Sequence, residues 1–139
     1  SGEILFSDGS ITLRNGVAMT HFDGHGNLSQ VDFVVSNPPT PGPPPPADPV
    51  TNFHVDETGT YTVYPDCTGS AEIDMPPHPG GVVIKLMLVL SDEGHEIHTV
   101  VSSLTAPPPP IGRPTIVGVA IQSDAEKLGV AIQDFDRNW

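Results

Sequence analysis

Short stretches of β-forming residues, each bounded by glycine, proline, asparagine or aspartate, recur along most of the chain. In residues 27–36, for example, Val31, Phe33 and Val35 occupy alternate positions, which is the spacing of side chains on one face of a strand. About eight such stretches between residues 3 and 122 predict an antiparallel up-and-down barrel. Residues 3–14 are expected to form one strand interrupted near Asp8 and Gly9, and the next strand is expected to begin at Gly16. A length of 139 residues fits a single domain, which we take as residues 1–139.

The prolines are concentrated in three connections, residues 37–51, 76–81 and 105–114. If the strands run up and down in chain order, these connections lie at one end of the barrel and the tight turns lie at the other. Polyproline segments are stiff and lose little entropy on ordering. We therefore expect a rigid rim at this end and look there for a ligand, although such prolines also serve simply to protect loop edges against aggregation.

The end of the chain changes from a strand period to a helix period. Ser123 and Glu126 have the spacing of a capping box, and Leu128, Ile132 and Phe135 follow at helical spacing. The pattern predicts an amphipathic α-helix over about residues 124–136, packed on the barrel.

The charge balance excludes several classes of partner. Five basic residues against 17 acidic ones give a net charge of −12, which repels nucleic acid and anionic membrane surfaces. No apolar run approaches the roughly 18 residues needed to span a bilayer, and the sequence shows no signal peptide. Cys67 is the only cysteine, so neither an intrachain disulfide nor a cysteine cluster for zinc is expected.

Three stretches of the sequence resemble a known family. Residues 22–27 read FDGHGN, residues 59–69 read GTYTVYPDCTG, and residues 94–97 read GHEI. In this order they resemble a group of small uncharacterised bacterial proteins with FDGxGN and GTYxVxxDCTG motifs. The resemblance implies a barrel of the calycin or allene-oxide-cyclase-like class, and export from the cell in members of that group. It implies no catalytic residue, and the further cysteine that such proteins carry near the N-terminus is absent here.

Strand alternation also selects candidate lumen residues. Tyr61 and Val63 share one face of their strand, and Ala71 and Ile73 share one face of the next, whereas Lys85 is expected outside. The predicted ligand-binding residues are Tyr61, Val63, Ile73, Ile84, Leu86 and Leu88.

One pair of polar residues is compatible with acid–base chemistry. Glu96 and His98 alternate with Ile97 and Thr99, so only one of the two sets faces the lumen. If Glu96 and His98 point inward, they form an acid–base pair beside Tyr61. If they point outward, the orientation we favour, they belong to a solvated face. We therefore assign no catalytic residue.

The six histidines do not predict a metal site. His95 and His98 are three residues apart, and residues three apart on a regular strand point to opposite faces unless the strand bulges. We expect no metal and no cofactor.

Three functional hypotheses remain. The first is a barrel that binds a small hydrophobic ligand in its lumen. The alternative is a cofactor-independent isomerase or cyclase that encloses a small lipophilic substrate and fixes its conformation, with Tyr61, Glu96 and His98 as its polar residues. The second alternative is a structural domain that self-associates into a homo-oligomer. The compartment is not predicted.

Overall fold

The computed structural model describes residues 1–39, 44–123 and 126–127, the last two through their backbone only. The described chain is almost entirely β-structure, with a single 3₁₀ turn at Asp92–Gly94. The strands are β1 (Gly2–Phe6), β2 (Ile11–Phe22), β3 (Asn27–Asn37), β4 (His54–Val63), β5 (Thr68–Asp74), β6 (Val83–Ser91), β7 (Glu96–Thr105), β8 (Ile116–Ile121) and β9 (Glu126–Lys127).

All nine strands form one sheet in the order β8-β1-β2-β3-β4-β5-β6-β7-β9, and every neighbouring pair is antiparallel. The sheet curls so that β8 also approaches β7, where Gln122 forms an isolated bridge with Val100 and the amide of Ser123 donates to the carbonyl of Thr99. The result is a nearly closed barrel with eight principal strands. The predicted eight-stranded antiparallel up-and-down arrangement is confirmed.

Strict alternation of strand direction separates the connections into two groups. The tight connections, residues 23–26, 64–67 and 92–95, lie at one end of the barrel, which we call the closed end. The three proline-rich connections, residues 38–53, 75–82 and 106–115, lie at the other, which we call the proline-rich end, together with the short turn at residues 7–10. The predicted grouping of the proline-rich connections therefore follows from the observed strand order.

The first hairpin differs from its prediction. The sequence suggested one interrupted strand over residues 3–14 and a new strand from Gly16, whereas the turn lies at residues 7–10 and β2 runs unbroken through Gly16. Asp8 makes this turn, because its Oδ1 accepts hydrogen bonds from both the amide and the hydroxyl of Ser10, at 2.9 and 2.6 Å. Gly9 supplies the positive φ of +85° that the turn requires.

The predicted C-terminal helix lies largely outside the described residues. Two of its residues, Glu126 and Lys127, are described and form β9, which pairs with Glu96 and Ile97 of β7. Pairing with the exposed edge of β7 satisfies backbone groups that a sheet edge leaves open, and it overrides the local helical signal at these two positions. Within the described chain, no helix is long and apolar enough to cross a membrane.

The largest apolar cluster lies along the inside of β3 to β7. It consists of eight buried residues: Leu28, Tyr61, Val63, Ala71, Ile73, Leu88, Leu90 and Ile97. Phe22, Ile84 and Leu86 are partly buried and pack against them. Full burial of one large side chain of this kind contributes roughly 1.5–3 kcal/mol to folding, so this cluster is a main source of the barrel's stability.

Candidate functional site

The six predicted ligand-binding residues lie together on the inside of the barrel. Tyr61, Val63, Ile73 and Leu88 belong to the buried cluster, and Ile84 and Leu86 pack against it. Tyr61, Val63 and Leu88 form an apolar floor toward the closed end. Ile73 and Ile84 pair with each other beside the 75–82 connection and extend the apolar surface toward the proline-rich end. A molecule held in the lumen would therefore lie on the proline-rich side of this floor.

Tyr61 has a structural partner for its hydroxyl group. Its Oη accepts a hydrogen bond from the amide of Gly24 at 3.1 Å, which ties β4 to the 23–26 turn. Its ring meets Phe22 edge-on, with ring centroids 5.0 Å apart and an interplanar angle of 89°, a favourable aromatic geometry. Burial raises the pKa of Tyr61, against the effect of its backbone hydrogen bonds.

Glu96 and His98 lie on the outer face of β7, as favoured from the sequence. Glu96 Oε1 is 3.1 Å from His98 Nε2, and Ile97 between them points inward and is 1% exposed. Lys85 is also outside, with its Nζ 3.8 Å from Glu72, as predicted. Since Tyr61 is buried inside, the wall of the barrel separates it from Glu96 and His98, and the three do not form a common site.

A buried polar cluster on β3 and β4 was not predicted from the sequence pattern. Asp32 on β3 and His54 and Glu57 on β4 converge on the interior side of the wall, and we call these three residues the Asp–His–Glu cluster. Asp32 Oδ1 lies 2.7 Å from His54 Nδ1. One ligand-type atom from each of the three side chains lies within 4.8 Å of the other two. Asp32 is 5% exposed and Glu57 only 2% exposed.

A bulge in β4 brings these side chains onto the same face. Asp32 pairs with His54 and Gln30 pairs with Glu57, so Val55 and Asp56 together oppose the single residue Val31. Asp56 adopts a positive φ of 63°, which re-aims the chain at this point. His54 and Glu57 are three residues apart, and only such a bulge allows both to face inward.

The proline-rich connections hold this bulge from outside the sheet. His78, in the 75–82 connection, lies with its Nε2 2.8 Å from the carbonyl oxygen of Asp56. The amide of Val55 donates to the carbonyl of Pro46, in the 38–53 connection, at 3.1 Å. Two of the proline-rich connections therefore contact the segment that positions the Asp–His–Glu cluster.

A chain of hydrogen bonds orients Glu57. Thr20 Oγ1 donates to Gln30 Oε1 at 2.8 Å, and Gln30 Nε2 donates to Glu57 Oε2 at 3.1 Å. Burial raises the pKa of Glu57 to about 7, and the neighbouring Asp32 charge adds to this effect, while the bond from Gln30 opposes it. Such a carboxyl group is poised to exchange a proton or to accept a positively charged group.

Arg14 supplies a positive charge that interacts with Asp32. The pKa of its guanidinium is lowered by burial, and the charge of Asp32 opposes this shift. Within the described part of the chain, however, no lysine, arginine or histidine nitrogen lies within 4.0 Å of the Glu57 carboxylate. The cluster therefore contains two carboxyl groups with incomplete charge compensation.

The cluster is close to space that solvent reaches. An open depression of about 620 Å³ lies across the middle of β2, β3 and β4, and Gln30 and Glu57 are among the residues that line it. A smaller depression of about 270 Å³ lies across β4 to β7 and includes Lys85 and Glu72.

Comparison with known proteins supplies no further guide to function. Searches of family models, of curated proteins and of solved structures each found no match to the chain.

Proposed function

We propose that this chain is a binding barrel that holds a small, mostly hydrophobic molecule in its lumen, with the polar end of the molecule at the Asp–His–Glu cluster. One observation carries the proposal: along the inside of β3 and β4, an apolar floor at the closed end changes to buried polar groups toward the proline-rich end. An apolar pocket with a few convergent polar groups is the usual form of a small-molecule site.

The polar groups indicate which chemistry the ligand should carry. The cluster offers carboxylate oxygens of Asp32 and Glu57 against the single guanidinium of Arg14. Carboxylates accept hydrogen bonds and attract cations, and they repel other carboxylates. The preferred ligand is therefore a lipophilic alcohol or amine rather than a fatty acid.

Decanol, decylamine and decanoic acid form a matched set to test this proposal. We expect EDTA-treated protein to show saturable saturation-transfer NMR signals with the alcohol and the amine, and weaker signals with the acid. Glu57→Gln should reduce the preference for the amine, because it removes one carboxylate. Glu96→Gln on the outer face should leave the preference unchanged. Absence of saturable binding, or equal binding of all three compounds, would contradict the proposal.

We also propose that the barrel belongs to the calycin or allene-oxide-cyclase-like class. The antiparallel up-and-down order of its eight principal strands supports this assignment. The isomerase alternative depended on Tyr61, Glu96 and His98 acting together, and the separation of these residues by the wall argues for the binding function instead.

A second candidate function is self-association through the outer face of β2 and β3. This face carries exposed apolar residues, Leu13, Val17, Met19, Phe33 and Val35. Its outward positions carry no Asp, Glu, Lys or Arg. In a chain of net charge −12, two copies repel each other least where they meet through an uncharged surface.

Sedimentation velocity over a range of concentrations tests this second candidate. We expect a concentration-dependent dimer that Val17→Lys dissociates. Ile111→Lys is the matched control, because Ile111 is fully exposed in the 106–115 connection between β7 and β8. A protein that stays monomeric at every concentration would eliminate this candidate.

A further inference from the structure

We propose that Asp32, His54 and Glu57 form a binding site for a divalent first-row transition-metal ion on the inside of the barrel wall. The site uses the same residues as the polar end of the proposed lumen site, but it does not require a lumen ligand and is tested with the ion alone.

The geometry of the three side chains is the first argument. Each contributes one potential ligand atom, and these atoms lie within 4.8 Å of one another. Two atoms bound to the same ion at about 2.0–2.2 Å are about 3–3.5 Å apart. Closing the site therefore requires movements of no more than about 1–2 Å, which small side-chain rotations provide. Asp32 Oδ1 and His54 Nδ1, 2.7 Å apart, need to separate by less than about 1 Å to reach this spacing.

The state of Glu57 is a second, separate argument. Glu57 is only 2% exposed, and its Oε2 accepts a hydrogen bond from the neutral side-chain amide of Gln30. Among the residues described, its other oxygen, Oε1, receives no hydrogen bond and the carboxylate forms no ion pair. Burial of a carboxylate without an opposing charge is costly. A bound cation at Oε1 supplies that charge.

The donor set selects the class of ion. One imidazole nitrogen and two carboxylate oxygens suit Mn²⁺, Fe²⁺, Co²⁺ or Zn²⁺, whereas Ca²⁺ prefers oxygen ligands only and Cu⁺ prefers sulfur. Three protein ligands leave at least one coordination position open to water. The hydrogen bonds from Thr20 to Gln30 and from Gln30 to Glu57 then act as outer-shell support that fixes one ligand.

The bulge explains why this site forms on a strand at all. His54 and Glu57 reach one ion only because the extra residue at Asp56 turns both inward. The contact between His78 and the Asp56 carbonyl holds the bulge in place before any ion binds. The site is therefore largely preformed in the fold.

A titration with Co²⁺ tests the proposal. Protein treated with EDTA and then freed of it by dialysis is titrated with Co²⁺, and binding is followed by visible absorption and calorimetry. We expect one saturable equivalent that Zn²⁺ displaces. Asp32→Asn and Glu57→Gln preserve side-chain shape, and each should weaken binding by at least about 10–100-fold, the loss caused even by changes to outer-shell partners.

The outer pair of Glu96 and His98 supplies a matched control. It is also a carboxylate–histidine contact, at 3.1 Å, but it lies on the opposite side of the wall. Glu96→Gln should bind Co²⁺ as tightly as the wild-type protein. Circular dichroism and thermal melting should establish that every variant is folded before titration.

A readout on the unaltered protein covers the case in which a variant does not fold. Paramagnetic Co²⁺ should first broaden the amide NMR signals of residues 30–34 and 54–58. The turns at 23–26 and 92–95, which carry the exposed His25 and His95, should broaden later. The proposal fails if affinity is weaker than about 1 mM, if both cluster variants bind normally, or if broadening is centred on those turns.

Discussion

Replacement of Tyr61 by phenylalanine tests whether its hydroxyl group is part of the scaffold. Phenylalanine keeps the edge-on ring contact with Phe22 but removes the acceptor of the Gly24 amide. Loss of the hydrogen-bond partner of a partly buried amide lowers the free energy of unfolding by about 1–2 kcal/mol. For a chain of 139 residues, this corresponds to a fall in Tm of about 3–7 °C. Urea unfolding followed by circular dichroism measures the free energy directly.

Tyr64→Phe is the control for this experiment. Tyr64 follows β4 and is 46% exposed, so its substitution should change the free energy of unfolding by less than about 0.5 kcal/mol. Amide exchange at Gly24 should accelerate in Tyr61→Phe alone, because the turn loses its tie to β4. A Tyr61→Phe protein as stable as the control would refute a structural role for the hydroxyl and would free it for contact with a ligand.

Substitutions of Asp56, Gly59 and Asp23 provide further tests of the fold. Asp56→Val should lower the free energy of unfolding by about 1–3 kcal/mol, because a β-branched residue is strained at a φ of 63°. Asp56→Gly should retain the fold, and thermal melts compare the two variants. Gly59→Ala should destabilise the protein by about 1–3 kcal/mol or more in urea unfolding, because the new Cβ would lie 1.8 Å from the carbonyl oxygen of Glu72. Gly118→Ala is the control and should be tolerated, because its Cβ meets nothing closer than 3.8 Å. The pKa of Asp23 lies below its ordinary value of 3.8, chiefly because the backbone amides of Asn27 and His25 donate hydrogen bonds to its carboxylate. The stability that Asp23 contributes is therefore present above pH 3.8 and is lost as the pH falls through the pKa of the folded protein. The difference in unfolding free energy between the wild-type protein and Asp23→Ala should therefore shrink on acidification, and a constant difference would count against this account.

Strand order was predictable because turn residues mark every reversal of the chain. The tight turns and the proline-rich connections alternate along the sequence, and this alternation alone assigns them to opposite ends. The same local signals misplaced the first hairpin. Asn15 and Gly16 look like a turn, but they pair regularly with Val35 and Val34 in the middle of a long hairpin. Tertiary pairing there outweighs local preference.

The candidate site was not predictable by the same reasoning. The alternation of Val31, Phe33 and Val35 suggests a core face, yet Val35 is 57% exposed and Asp32 between them is 5% exposed. Apolar periodicity identifies the face of a strand only when the outer surface is polar. The bulge at Asp56 is equally hidden, because nothing in the local sequence requires a positive φ at an aspartate. The cluster can be recognised only when the inward position of Asp32 on β3 and the bulge between His54 and Glu57 on β4 are both known.

The bulge in β4 also fixes how β3 and β4 align during folding. A slip of one residue would send Glu57 into water and turn Thr58 inward, and the carbonyl of Asp56 would no longer meet His78. Each misaligned pairing therefore forfeits a contact that only the correct one provides. The bulge at Asp56 therefore fixes the register of β3 and β4. The same distortion that brings the polar side chains together also destabilises misaligned forms of the hairpin.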